Sequence, residues 1–66
     1  MIHYRVILLA QGGEELSSGY LFAADDDSAC SSARRLMRSN PAAVAVSVLE
    51  GQRLVCSYEQ ADANGR

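Results

Sequence analysis

The 66-residue sequence predicts an α+β fold, a four-stranded antiparallel sheet in chain order β-β-α-β-β with one helix packed on one face. Three observations predict it. Two pairs of β-branched, alternating runs are each joined by a glycine-containing turn. Only one stretch, headed by Asp25-Asp26-Asp27, carries an apolar stripe at helical spacing. That stretch lies between the two hairpins, so the helix must cross from one to the other.

Residues 2–10 form the first strand. Ile2, Tyr4, Val6 and Leu8 fall on one face, and His3, Arg5, Ile7 and Leu9 on the other. Gln11-Gly12-Gly13-Glu14 is the turn, because paired glycines supply the positive φ of tight hairpins. Residues 15–24 return as the second strand. Leu16, Tyr20 and Phe22 are expected on one face and Leu21 and Ala23 on the other, with Ser17-Ser18-Gly19 marking a bulge or a weak start. An aspartate of the acidic triplet caps the helix by accepting a backbone N–H of the first turn. The remaining carboxylates favour the positive end of the helix dipole.

The helix runs to Arg38 or Ser39. Its buried stripe is Ala29, Cys30, Ala33, Leu36 and Met37, with Arg34, Arg35 and Arg38 opposite. Asn40-Pro41 stops it, since the residue before proline is pushed out of the α region. Residues 42–49 are the third strand, Glu50-Gly51 the hairpin turn, and residues 53–58 the fourth strand. There Leu54, Cys56 and Tyr58 are expected on the face away from Arg53, Val55 and Ser57. The domain spans 1–58, and the polar residues 59–66 read as a flexible tail. A right-handed crossover that skips one strand gives the strand order 2-1-3-4, with every neighbouring pair antiparallel.

Composition narrows the function classes. A chain this short makes one domain that buries only about 60% of its unfolded surface, so a partner subunit is a natural way to bury more. Six arginines, no lysine and eight acids give a formal charge of −2. That balance argues against whole-domain nucleic-acid binding, which needs a basic field. The first residues lack a basic leader pattern, and no apolar run approaches the ~20 residues of a membrane span. The expected location is therefore cytoplasmic, without membrane contact. In that compartment Cys30 and Cys56 would be buried free thiols, although their faces make a disulfide geometrically conceivable.

Tyr4-Arg5-Val6-Ile7-Leu8-Leu9, Phe22-Ala23-Ala24-Asp25-Asp26-Asp27-Ser28-Ala29 and Leu49-Glu50-Gly51-Gln52-Arg53-Leu54-Val55 together resemble a group of small bacterial β-β-α-β-β proteins. These carry an F-x-A-D-D-D-x-x-A strand-to-helix junction and a G-x-R-L-V hairpin. The resemblance covers most of residues 4–55. Its motifs are caps, turns and alternation, so it implies a fold and brings no activity with it. The Gln11-Gly12-Gly13 turn departs from the Asp-Gly turn of that group.

No catalytic constellation stands out. The acidic triplet lacks the spacing of a calcium loop and is explained by capping. His3 has no acid or nucleophile placed near it by sequence, and neither cysteine has a base. No catalytic, cofactor or metal residue is assigned, and the chain is read as a non-enzyme. Two surfaces remain. One helix cannot cover both sheet faces, so Ile7, Leu9, Leu21, Leu49 and Val55 are expected on an open apolar face that binds a second copy or another protein. Arg34, Arg35 and Arg38 form a charged helix face that could grip nucleic acid or an acidic partner, against the plainer reading of a solvated helix face. The leading expectation is a small interaction module acting through an open sheet face or edge strand, as a homodimer or with a protein partner. The alternative is a phage-type inhibitor or accessory factor of a nucleic-acid-binding enzyme.

Overall fold

A computed structural model describes residues 1–59. Its elements are β1 (Ile2–Leu9), β2 (Glu15–Ala23), α1 (Asp26–Arg38), β3 (Ala45–Glu50) and β4 (Arg53–Glu59). The four strands form one antiparallel sheet in the order β2-β1-β3-β4, with the helix against one face, as the sequence implies. Glu59 belongs to β4 rather than to a tail. The rest of the expected tail, 60–66, lies outside the described residues.

β1 and β3 are the two inner strands, and both have apolar residues to offer on both faces. Tyr4, Val6 and Leu8 are buried toward the helix, and Ile7 and Leu9 are half-buried on the opposite side. The first turn is closed by bonds from Ala10 N–H to the Glu14 carbonyl and from Gly13 N–H to the Ala10 carbonyl, with φ of +95° at Gly12 and +89° at Gly13. The second hairpin connects through Gly51-Gln52, not Glu50-Gly51, because Glu50 and Arg53 pair across it. Gly51 takes φ +63°, the left-handed region that glycine enters without a Cβ penalty.

Asp25 is the N-cap. Its extended backbone starts the helix, and its carboxylate accepts the Ser28 N–H at 2.8 Å. Asp26 and Asp27 occupy the first turn, with Arg35 and Arg38 in the last, so both helix ends carry charge that opposes the dipole. The Asn40 side chain donates to the Leu36 carbonyl at 2.9 Å and satisfies one terminal acceptor before Pro41.

The core sits between α1 and the strands beneath it: Tyr4, Val6, Leu8, Ala23, Ala29, Ala33, Met37, Ala43, Val46 and Val48. Small alanines on the helix bring it close to the sheet, while Tyr4 fills the largest share of the space below. Leu36, expected in the stripe, is 43% exposed.

Candidate interaction surface

Two irregularities in pairing decide which side chains face away from the helix. Between Leu8 and Leu9 the register with β2 shifts, leaving Leu16 as the additional residue. The bulge therefore sits just ahead of the expected Ser17-Ser18-Gly19. Beyond it, Ala23 pairs with Ile2, Leu21 with Tyr4 and Gly19 with Val6, all on the helix side. Phe22 pairs with His3 and Tyr20 with Arg5, both on the bare side.

This reverses the expected faces of β2. Leu21, expected on the open face, packs against the core, whereas Phe22 and Tyr20 stand out in solvent. The reason is local: only Ala24 and Asp25 separate β2 from α1, so the last residue of β2 lies beneath the first helical turn. Small Ala23 fits there.

The second irregularity lies between Val48 and Leu49, where Leu54 pairs with Leu49 and Cys56 with Val48. Val55 is the additional residue. It is half-buried and packs against the core, so it too leaves the expected open face, and Leu54 replaces it at 58% exposure. Ile7, Leu9 and Leu49 do lie on the open side.

The open face thus has an aromatic end. The His3 ring stacks on Phe22, with centroids 4.9 Å apart and planes 20° apart, and lies 4.6 Å from Tyr20 at a 34° tilt. Such ring pairs gain from quadrupole complementarity beyond their buried area. The cluster is held out to solvent, with Tyr20 67% and Phe22 64% exposed. A sequence reading that gives Tyr20 and Phe22 to the helix side misses this cluster. Its only sequence signal is the short link from Ala23 to the capped helix.

A polar knot ties the helix start to the sheet. The Tyr4 hydroxyl donates to Asp26 Oδ1 at 2.8 Å, and Arg53 reaches the same carboxylate at 3.4 Å while also pairing with Glu50. Burial, and then the bond to Asp26, push the Tyr4 hydroxyl up to about 12. The Tyr4 bond, with Arg53, holds the Asp26 carboxyl below its ordinary value. The knot is structural: Tyr4 is fully buried, and the ion pairs are exposed and individually worth little. Asp26, next to the capping Asp25, therefore ties the helix start to β1 and β4.

The cysteines are joined. Cys30, on the buried stripe of α1, bonds Cys56 on β4 across a Cα–Cα distance of 6.5 Å, which overturns the expectation of free thiols. Cys56 pairs with Val48, so its side chain lies on the side the helix covers. Arg34 also clamps this edge, its guanidinium 5.0 Å from the centre of the Tyr58 ring. Arg35 and Arg38 remain exposed beside it, lining an open depression with Ser31 and Arg34.

Among the described residues, no three His, Cys, Asp or Glu side chains gather into a set that could hold a metal ion. Among them, too, no helix is long and apolar enough to cross a membrane. No family model, curated protein or solved structure matches the chain.

Proposed function

We propose that this chain is a small non-enzymatic interaction module whose open sheet face binds a protein partner. The observation that supports it is the exposed aromatic cluster of His3, Tyr20 and Phe22, continued by Leu49 and Leu54 along the same face. Rings of this kind bury roughly 150–250 Å² each when covered, so Tyr20 and Phe22 leave roughly 250 Å² to be gained. At about 25 cal/mol per Å² that is about 6 kcal/mol. Association costs on the order of 4–15 kcal/mol, so this patch by itself supports weak, transient binding.

The charged helix face is a weaker reading, because Arg34 is already engaged with Tyr58. Nucleic acid is not the proposed partner, given the net charge of −2. The proposed location is the cytoplasm, and the Cys30–Cys56 bond is the observation against it, because disulfides persist in oxidising compartments. Alkylation of the protein inside intact cells tests this, and recovery of the bonded pair would overturn it.

The test of the face is a comparison of tagged wild type with Tyr20→Ser/Phe22→Ser in capture from native lysate. Captured proteins should be lost from the variant while its melting temperature is kept. Capture that persists unchanged in the variant refutes the reading.

A further inference from the structure

We propose that a second copy of this chain pairs antiparallel with β2, joining two four-stranded sheets into one of eight strands. The inference rests on the interaction-module reading and names its first partner. β2 is an edge of the sheet, so it presents a row of outward backbone groups ready to pair.

The two edges are treated differently. β4 is guarded by the bulge at Val48/Leu49, by Arg53 and Glu59 at its ends, and by the Cys30 bond and the Arg34 clamp from the helix. Such bulges and charges are how sheet edges avoid pairing. β2 carries a charge and a bulge only at its start, at Glu15 and Leu16; from Ser17 to Ala23 it has no charge, no proline and no bulge, and Ser17 to Tyr20 are all exposed. An antiparallel strand can pair with itself about a two-fold axis, the commonest symmetry of homo-oligomers.

Both sides of the new ribbon gain cover. On the helix side, Ser17 and Gly19 floor a groove of about 220 Å³ walled by Val6, Leu8 and Leu36. Leu36, 43% exposed, stands over that bare stretch in each copy. On the open side, paired strands lie ~4.8 Å apart. The Tyr20 and Phe22 clusters of both copies then form one continuous surface, twice the area that a lone chain offers a partner.

Gly19 provides the test. A Cβ there meets nothing within 4 Å, and its φ is not in the left-handed region, so a side chain leaves the folded monomer undisturbed. Sedimentation equilibrium on the full chain from about 10 µM to about 1 mM covers the weak association expected of a small interface. Wild type and Gly19→Ala should pass from monomer to dimer. Gly19→Lys should weaken the dimer at least tenfold, with its melting temperature unchanged. Isotope-filtered NOE spectra of a mixed labelled and unlabelled sample should place intermolecular contacts within Ser17–Ala23. A wild type that stays monomeric throughout, or a Gly19→Lys that dimerises equally, overturns the proposal. Intermolecular contacts confined to Leu54 and β4 also overturn it, and leave the open-face reading standing. Loss of edge pairing is likewise separable from the capture assay, which monitors Tyr20 and Phe22.

Discussion

Reducing the Cys30–Cys56 bond should remove much of the oxidised protein's stability. The bond closes a loop with a sequence separation of 26. Chain-entropy arithmetic for that length gives roughly 3.5 kcal/mol at 25 °C. A 66-residue domain has on the order of 3–10 kcal/mol in total, so this one bond is a major share. With a urea m-value of about 1 kcal/mol/M for so small a protein, reduction should lower the midpoint by roughly 3.5 M. The melting temperature should fall by roughly 15–25 °C. The assay is urea unfolding followed by circular dichroism, on one preparation, with and without a reductant. Using the same chain in both arms avoids the cavity that a substitution at buried Cys30 would leave. Two outcomes would refute the reasoning: free thiols titrated in the air-oxidised protein, or reduced and oxidised forms with midpoints within about 0.5 M of each other.

Two further predictions concern the helix start. The Tyr4 hydroxyl is raised to about 12 in the fold, whereas the unfolded chain ionises near 10. Between those values the unfolded state binds fewer protons, so stability falls as pH rises from about 10 to 12. Tyr4→Phe should abolish that decline in pH-dependent urea midpoints and remove the tyrosinate absorbance that develops near pH 12. Asp26 has the opposite sign: its lowered value adds stability above the unfolded carboxyl range, and this is lost as pH falls through it. Asp26→Asn should therefore flatten the acid side of the same profile. Asp25→Ala removes the acceptor for the Ser28 N–H and should cost about 1 kcal/mol in urea unfolding, while Asp27→Ala, which caps nothing, should cost less.

Element types and order were legible because they depend on local chemistry. Gly12-Gly13 supplies positive φ, Asp25 offers a cap oxygen, Pro41 forbids continuation, and strands and helix bury residues at periods of 2 and 3.6. The order 2-1-3-4 also followed, since two hairpins and one crossover leave few alternatives. Ile7, Leu9 and Leu49 were legible as open-face residues because β1 and β3 run beside one another without a bulge.

The aromatic face was not legible. Alternation put Tyr20 and Phe22 on the face opposite Leu21, and Leu21 and Val55 were expected on the open face. A one-residue shift exchanges every side chain of a strand between faces. Single additional residues at Leu16 and Val55 make such shifts, and they cannot be located from residue type. The elements, their caps and their succession along the chain are settled by neighbours a few residues apart, so residue types alone reveal them. Which face of β2 the helix covers, the meeting of Cys30 with Cys56, and the bonds of Asp26 to Tyr4 and Arg53 arise only once the chain is folded. Those outcomes depend on partners 22 to 27 residues away in the chain, brought together by the helix docking on the sheet.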